Sequence, residues 1–370
     1  MQKNISFIEL ACIVKELQAI IDGKVDKIYV NPNQELLLQL HLPNQGKKLL
    51  RIFPPYFLYL SEFRSDTQEK PSGFCMFLRK YLDNTRIREI KQIASERIIA
   101  IVFQTKEQLL TLYLEFFSKG NIILCSQENK ILAAYDQQEW KDRTIKAGLE
   151  YNYPKKEFNF FTLTRNQFAE LLKSSNKENI VKILALDLGL GGLYAEEIIL
   201  KANIDKNKKH LTDEELNSVF NEIKHLRSLQ IKPALIEELH ELVPFDLGLF
   251  KDKTKKEYKT FNELLDTELT NILLAQKKID FHKKANKKID DIKKIMDQQQ
   301  EHILKIQGTI DENQQKAEYI YNNYQTISNI LKEMQKAREK YSWKEIKEKV
   351  KGNKLIKSVN ERDSEITIDI

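Results

Sequence analysis

The sequence predicts an α+β protein with a β-rich amino-terminal domain, a helix-hairpin-helix module and a long coiled coil. Short apolar runs separated by Asn, Pro and Gly occupy residues 1–155 and are typical of strands joined by tight turns. A glycine-rich turn between two helical patterns lies within residues 156–232. Apolar residues spaced alternately three and four apart run through residues 260–350, as in a coiled coil.

The amino-terminal domain begins with a helix predicted over about residues 6–21. Ser6 and Glu9 have the spacing of a capping box, in which each side chain accepts a hydrogen bond from the other residue's backbone amide. Gly23 ends this helix, and a second helix is predicted over about residues 71–82. Many short strands with few helices predict a β-sandwich or barrel-like domain. The strand patterns lie at 27–30, 35–42, 48–53, 57–60, 86–90, 97–103, 108–117, 121–126 and 130–135.

The middle of the chain contains the sequence LGLGGLYAEEI at 188–198. Its alternation of apolar residues and glycines matches the turn of a helix-hairpin-helix, which brings backbone amides and a helix N-terminus close to a phosphate. Gly189, Gly191 and Gly192 are therefore candidate phosphate-binding residues. An ordinary helical hairpin that uses glycine only for packing is an equal alternative, because Glu196 and Glu197 put negative charge beside the turn.

A connecting segment, residues 233–259, leads into the predicted coiled coil at 260–350. Gly308 and the polar run at 311–315 are points where the coil could fold back as an antiparallel hairpin. One continuous helix that pairs with a partner fits the spacing equally well. The apolar seam consists of Ile289, Ile292, Met296, Ile303, Ile306, Ile310, Ala317, Ile320, Tyr324, Ile327, Leu331, Met334 and Tyr341.

The net charge of +6 is unevenly distributed along the chain. Residues 251–360 hold 25 Lys and Arg against 17 Asp and Glu, so the basic excess lies on the helical part. Such an excess indicates either a solvated coiled-coil face or a nucleic-acid contact surface, with equal weight. Four lysines on one predicted helix face are candidates for contact with an RNA backbone: Lys283, Lys284, Lys287 and Lys288.

No pattern typical of catalysis occurs in the sequence: there is no nucleophile elbow, P-loop, HExxH or pair of CxxC motifs. We therefore expect no enzyme activity, no cofactor and no metal site. Cys12, Cys75 and Cys125 are isolated and odd in number, which is typical of a reducing compartment. Charged residues interrupt the first apolar run, and no stretch of about 18 apolar residues exists. These observations predict a cytoplasmic protein without a membrane span.

Four charged residues in the amino-terminal domain have both a structural and a functional interpretation. Glu96 and Arg97 enter a strand pattern, where paired opposite charges usually form a surface salt bridge of little energetic weight. An exposed Arg97 can instead bind a phosphate while the acid orients it or accepts a hydrogen bond from a ribose or an amine. Glu9 has its capping role, and Arg79 fits a solvated helix end. From the residues alone the structural interpretation is favoured for all four.

Taken in order, these features resemble the NFACT family, which includes bacterial fibronectin-binding protein A homologues and ribosome quality control proteins of archaea and eukaryotes. The resemblance covers nearly all 370 residues. Each segment is moderately specific, and the ordered series is specific. The segments that carry it are PSGFCMFLRKYL at 71–82, SERIIAIVF at 95–103, LEFFSKGNIIL at 114–124, the glycine turn at 188–198, VPFDL at 243–247, and AEYIYNNYQTISNILKEMQKAREKYSW at 317–343.

The resemblance implies an amino-terminal domain similar in fold to that of formamidopyrimidine-DNA glycosylases. It also implies a factor that binds the large ribosomal subunit, with its rRNA and stalled peptidyl-tRNA, and recruits charged tRNA for carboxy-terminal tailing of the nascent chain without mRNA. The ribosome itself transfers the peptide. On this basis Glu9, Arg79, Glu96 and Arg97 are candidate tRNA-binding residues, and the coiled coil can hold a ubiquitin ligase or another quality-control protein.

The sequence departs from the family pattern at three places. The family has Asp at the positions of Glu9 and Glu96, so both acids here keep their charge and are longer by a methylene. The resemblance leads us to expect that the family's carboxy-terminal RNA-binding domain is lacking, with residues 351–370 as a linker toward it. Glycosylase chemistry uses an amino-terminal proline and acid, whereas Gln2 and Lys3 stand here. The alternatives are a coiled-coil scaffold or adhesin that binds another protein, and a DNA-repair enzyme.

Overall fold

The computed structural model describes residues 4–43, 46–63, 70–140, 143–154 and 156–369. Gln2 and Lys3 lie outside the described residues. The chain divides into two units, of which the first ends at Ala275 and the second begins at Gln276.

The helices are numbered in chain order and include one that is far longer than the others. Short 3₁₀ turns lie at Gln18–Ile20 and Gly248–Phe250, and a π turn lies at Ile183–Asp187. The helices are α1 (Phe7–Leu17), α2 (Gly73–Leu82), α3 (Arg165–Ser174), α4 (Ile180–Lys182), α5 (Gly191–Ala202), α6 (Asp213–Ser228), α7 (Phe261–Asn322), α8 (Tyr324–Arg338) and α9 (Trp343–Lys349).

The strands form one large sheet and several small ones, and every pairing described is antiparallel. The large sheet has nine strands in the order β4-β3-β2-β1-β5-β6-β7-β8-β9. The strands are β1 (Lys24–Val30), β2 (Leu36–Leu42), β3 (Gly46–Phe53), β4 (Phe57–Ser61), β5 (Arg86–Gln92), β6 (Ile98–Gln104), β7 (Leu109–Glu115), β8 (Asn121–Cys125), β9 (Ile131–Ala134), β10 (Gln138–Trp140), β11 (Arg143–Ile145), β12 (Ala234–Ile236), β13 (Glu241–Val243), β14 (Lys255–Glu257), β15 (Ile356–Asn360) and β16 (Glu365–Ile368).

The first helix forms where the sequence predicts it. Ser6 accepts a hydrogen bond from the amide of Glu9 at 3.2 Å, and the Glu9 carboxylate accepts one from the amide of Ser6 at 2.7 Å. The predicted capping box is therefore confirmed, and it satisfies two amides that the helix itself leaves unpaired. The apolar face of α1, which includes Leu10 and Ile13, is fully buried.

The nine-stranded sheet confirms the prediction of a β-rich amino-terminal domain. Helix α1 contacts both β4 and β5, although three strands separate these two in the sheet. Helix α2 likewise contacts β1 and β9. The sheet must therefore curve, and each helix packs against the two strands that the curvature brings near it. Leucines and isoleucines that alternate along the strands, such as Leu38 and Leu112, are fully buried between these elements.

The middle of the first unit consists of α3–α6 and a three-stranded sheet in the order β13-β12-β14. Glu197 on α5 is buried and accepts hydrogen bonds from the amides of Gly248 (2.8 Å) and Leu249 (2.9 Å). It therefore caps the 3₁₀ turn that follows the VPFDL sequence. The negative charge of the Glu197 carboxylate is thus stabilised by two backbone amides of this turn. The assignment of this region to the helix-hairpin-helix class, the glycosylase likeness and the predicted domain boundaries stay predictions.

The second unit contains most of α7, which has 62 residues and passes without a break through Gly308 and residues 311–315. Of the two arrangements that the spacing left open, the helix is therefore continuous at these residues and does not fold back there. One exposed glycine costs a helix only about 1 kcal/mol, and Glu and Gln favour the helix. The predicted seam residues Ile289–Ile310 are exposed along this helix. No helix among the described residues is both long and apolar enough to cross a membrane.

A small core follows the long helix. Ile330 and Met334 on α8 and Ile346 on α9 are buried against one another and against the hairpin of β15 and β16. Ser342 begins α9 with a capping box to Glu345, which fixes the turn between α8 and α9.

Candidate nucleic-acid interface

The loop between β5 and β6 carries Glu96 and Arg97. The amide of Glu96 donates to the carbonyl of Ile93 at 2.9 Å, which closes a tight turn. The side-chain amide of Gln92 donates to the carbonyls of Glu96 and Phe7, both at 2.9 Å. The loop is therefore fixed to the first turn of α1. Glu96, which the sequence suggested was a surface residue, has its backbone held by Ile93 and by Gln92.

Glu96 is buried and its salt-bridge partner is Lys156. The distance from Lys156 Nζ to Glu96 Oε2 is 3.7 Å, and Nζ also donates to the carbonyl of Ser95 at 3.0 Å. The other carboxylate oxygen, Oε1, is buried without a hydrogen-bond partner among the described residues. Burial raises the pKa of Glu96, and the charge of Lys156 opposes that rise. A buried acceptor without a hydrogen bond costs free energy of folding. Glu96 Oε1 can therefore still accept a hydrogen bond.

Arg97 is half-buried and differs from its neighbour in having no salt bridge. Within the part of the chain that the structure describes, its guanidinium makes neither a hydrogen bond nor an ion pair. Burial lowers the pKa of Arg97, and the charge of Glu96 opposes that effect. Glu96 pairs with Lys156 instead, so the guanidinium keeps all its donors for a ligand.

The glycine turn leads directly into α5. Gly189 and Gly191 have φ of +79° and +76°, which is the left-handed conformation that glycine adopts without strain. Gly192 has an ordinary φ and lies in the first turn of α5. The residue that precedes α5, Leu190, provides no side-chain cap, so the first amides of the helix are not satisfied by a neighbouring side chain. This geometry suits an anion.

Lys156 joins the glycine turn to the Glu96 loop. A Cβ atom on Gly189 would lie 2.5 Å from Lys156 Nζ, so a side chain there would displace the end of the lysine. We call Lys156, Glu96, Arg97 and Gly189 the Lys156 cluster. The structure thus brings together three residues that the sequence singled out, through a fourth that it did not. Lys156 lies in a loop far from Glu96 along the chain, and no spacing rule connects them.

Glu9 is close to the same helix but is engaged internally. It is 4% exposed, and its Oε1 accepts a hydrogen bond from the hydroxyl of Tyr194 at 3.2 Å. Tyr194 lies on α5, so this bond connects α1 to the helix that follows the glycine turn. Burial, with the nearby Glu9 charge, raises the pKa of Tyr194 well above its ordinary value. A direct contact between Glu9 and tRNA stays a prediction.

Arg79 lies on α2 and contacts β1. Its Nε donates to the carbonyl of Ile28 at 2.9 Å, and its guanidinium lies 5.6 Å from the centre of the Tyr29 ring. With Asp83 it lines a shallow cavity of about 420 Å³. Burial raises the pKa of Asp83, and Arg79 opposes that rise. No contact among those described connects Arg79 to the Lys156 cluster, so the structure separates this residue from Glu96 and Arg97.

The four lysines on α7 belong to the second unit. Lys283, Lys284, Lys287 and Lys288 are all exposed. In the described chain none of them has a hydrogen bond or a salt bridge, and their spacing puts them on neighbouring positions of one helix face. Each ammonium group is therefore available to a phosphate. Among the described residues no group of three or more His, Cys, Asp or Glu has the geometry of a metal site.

Comparison with known families tests the family resemblance that the sequence suggested. The description "NFACT N-terminal and middle domains" matches residues 6–369. The chain belongs to the NFACT family. The archaeal Rqc2 homolog aRqcH of Methanocaldococcus jannaschii is 32% identical over 394 residues, which cover 100% of this chain and 58% of that protein.

Other NFACT relatives match over part of their length. The Rqc2 homolog RqcH of Streptococcus pneumoniae is 28% identical and matches over 70% of this chain and 46% of its own. The human ribosome quality control complex subunit NEMF is 26% identical over 84% of this chain and 33% of its own. The chain therefore spans between about a third and three fifths of the length of these relatives.

Two solved structures share the fold. The fibrinogen binding protein from Staphylococcus aureus has a TM-score of 0.57 at 24% identity and matches over 70% of this chain and 97% of its own. The amino-terminal part of the fibronectin/fibrinogen-binding protein from Streptococcus suis has a TM-score of 0.59 at 22% identity, over 72% and 99%. At these identities the likeness concerns the fold alone.

Proposed function

We propose that this chain is a ribosome quality control factor that binds the large ribosomal subunit together with tRNA and has no catalytic chemistry of its own. The names of its archaeal, bacterial and human relatives support the quality-control role. The observation that carries the tRNA part is Arg97, a half-buried guanidinium with no partner among the described residues. Its neighbour Glu96 pairs with Lys156, which lies against the glycine turn, and the helix that begins at this turn has no side-chain cap among those residues.

Within this proposal the Lys156 cluster and the first turn of α5 bind phosphates of a tRNA, and the lysines of α7 contact rRNA. The turn at 188–193 then acts as a helix-hairpin-helix, and the curved sheet corresponds to the glycosylase-like domain. The factor recruits charged tRNA for tailing in the cytoplasm, while the ribosome makes the peptide bond. A ubiquitin ligase or another quality-control protein is the expected partner of the coiled coil.

The test separates tRNA binding from subunit binding. Tagged protein is sedimented through a sucrose gradient, and the RNA it carries is sequenced. We expect the unaltered chain to migrate with free large subunits and to be enriched in one or a few tRNAs. Arg97→Ala should reduce tRNA retention roughly tenfold, because one charge-assisted phosphate contact is lost, and should leave subunit binding unchanged. Arg88→Ala is the matched control, since Arg88 is exposed on β5 and pairs with Asp22.

Two other outcomes would favour other functions. Equal loss of tRNA and subunits in Arg97→Ala, or no loss of either, would contradict the role assigned to Arg97. Protein that stays at the top of the gradient without RNA would favour the scaffold or adhesin alternative. Incision of a damaged duplex by the purified protein would instead indicate a repair enzyme.

A further inference from the structure

Lys156 contacts three separate parts of the first unit: the loop that carries Glu96, helix α1 and the glycine turn. Its Nζ lies 3.0 Å from the carbonyl of Ser95 and 3.7 Å from the carboxylate of Glu96. It lies 5.3 Å from the centre of the Phe7 ring on α1 and occupies the space that a side chain on Gly189 would need. Lys156, in the segment after β11, thus connects the loop that carries Glu96 with the first helix and the glycine turn.

Lys156 is mostly buried beside the charge of Glu96: burial lowers the pKa of the lysine, and Glu96 opposes that effect. Its side chain is only 28% exposed, and that of Glu96 is 10% exposed. Removing one member of a mostly buried ion pair leaves the other charge uncompensated, so each holds the other in place. The neighbouring segment adds a further constraint, because the amide of Phe160 donates to the Ser95 hydroxyl at 3.2 Å. The loop and the segment around Lys156 are therefore joined at two points.

We propose that Lys156 is a positioning residue for tRNA: it fixes the separation between Arg97 and the first turn of α5, so that both bind phosphates of the same RNA. The inference rests on the proposed function. Lys156 acts through Glu96 and the Ser95 carbonyl, to which its donors are directed, and it does not itself contact the RNA. The ammonium group donates to the Ser95 carbonyl at 3.0 Å and lies 3.7 Å from the Glu96 carboxylate, so moving it onto a phosphate would take the counter-charge away from the buried Glu96.

The experiment uses Lys156→Met, which keeps most of the aliphatic volume and removes the charge, and Lys156→Arg, which keeps the charge. Lys206→Met, at an exposed loop position in the same unit, is the matched control. tRNA affinity is measured at several salt concentrations, and amide hydrogen exchange is measured over residues 93–97 and 188–193 without RNA. Exchange in β6 and β7 shows whether each variant is folded.

A positioning role gives a distinct pattern. Lys156→Met should weaken tRNA binding roughly tenfold, keep the salt dependence of binding unchanged and speed exchange in both segments. Lys156→Arg should restore most of the affinity. The double variant with Glu96→Gln should bind no more weakly than the weaker single variant, because the two residues act as one unit.

Each other result would overturn the inference. A salt slope smaller by about 0.7 to 0.9 in Lys156→Met would make Lys156 a direct phosphate ligand. Unchanged affinity, or exchange that is unchanged in both segments of a folded variant, would show that Lys156 positions nothing. If the unaltered chain binds no tRNA, the proposed function fails. The exchange data then decide separately whether Lys156 holds the loop and the turn together.

Discussion

Glu16 on the first helix caps the long helix α7 at Phe261. Its carboxylate accepts hydrogen bonds from the amides of Phe261 at 2.8 Å and Asn262 at 2.7 Å. The side chain of Asn262 in turn bonds both backbone groups of Leu60, at 2.6 and 2.9 Å, on the edge strand β4. The first turn of α7 is thus fixed to α1 and to the sheet. A negative charge at a helix N-terminus is also favoured by the helix dipole.

Replacing this cap should destabilise the first unit. We expect Glu16→Ala to lower the free energy of unfolding by about 2 kcal/mol, because two amides lose a charged acceptor. Urea unfolding followed by far-ultraviolet circular dichroism measures this. Glu62→Ala is the control, since Glu62 is exposed and pairs only with Lys48 among the described residues, and its unfolding midpoint should not change. Equal midpoints for the two variants would show that the cap contributes nothing.

The three glycines of the turn should respond differently to alanine. Gly189→Ala forces a strained φ and displaces the Lys156 ammonium group from its partners, so we expect a loss of about 1–3 kcal/mol in the free energy of unfolding. Gly191→Ala has the same strain without a neighbour within 4 Å and should cost about 1–2 kcal/mol. Gly192→Ala is the matched control, because its φ is ordinary and no atom is close.

Denaturant unfolding of the three variants measures the order of their stabilities. A loss for Gly192→Ala as large as that for Gly189→Ala would contradict the strain argument, since Gly192 lies inside a helix where alanine is preferred. A Gly191→Ala variant less stable than Gly189→Ala would contradict the role of the contact with Lys156.

The raised pKa of Glu96 predicts a pH dependence of stability. Burial lifts this pKa above its ordinary value of 4.5, so the folded chain binds the proton more tightly than the unfolded chain does. The free energy of unfolding therefore falls as pH rises from about 4.5 through the raised value. We expect the stability of the unaltered chain relative to Glu96→Gln to decline over this range. Urea midpoints between about pH 4 and pH 7 measure the difference, and Lys156 stays charged throughout.

A flat difference between the two chains would show that Glu96 titrates normally. A difference that grows with pH would mean that Lys156 and Arg97 lower the pKa of Glu96 more than burial raises it. Glu89→Gln on the exposed face of β5 serves as the control, because that carboxylate is half-exposed and pairs with Lys91 at the surface.

Local signals predicted much of the fold. The Ser6–Glu9 capping box and the alternating apolar strands depend on residues close together in the chain, and both form as expected. The helix is continuous at Gly308, a choice that the sequence left open because a breaker residue shows only where a helix can end. Helix-favouring neighbours decide whether it does. The curvature of the sheet depends on packing between distant elements, which no local pattern contains.

The candidate site was only partly predictable for the same reason. Glu96, Arg97 and Gly189 belong to recognisable motifs. Lys156 lies in an ordinary loop and becomes special only because the fold places it between two of them. Glu16 was missed as well, since a carboxylate in the last turn of a helix looks like solvated surface until the fold shows that it caps α7. The sequence alone does not show which distant residues a charged side chain contacts in the folded protein.

The exposed lysines of α7 should contribute RNA affinity without contributing stability. Replacing Lys283, Lys284, Lys287 and Lys288 together by Gln should weaken binding to large ribosomal subunits and reduce the salt slope by as much as about 3. Each phosphate contact contributes about 0.7 to 0.9 to the slope. Glutamine favours the helix nearly as well as lysine, so the melting temperature of the helix should not change. Sedimentation at several salt concentrations measures the slope.

The control removes four other lysines from the same helix: Lys293, Lys294, Lys305 and Lys316. All are exposed, and Lys305 and Lys316 pair with glutamates one turn earlier. The net charge changes equally in both variants, so a general electrostatic attraction would reduce the two slopes by the same amount. A contact surface confined to residues 283–288 would reduce only the first, because phosphates are neutralised only where the helix meets the RNA.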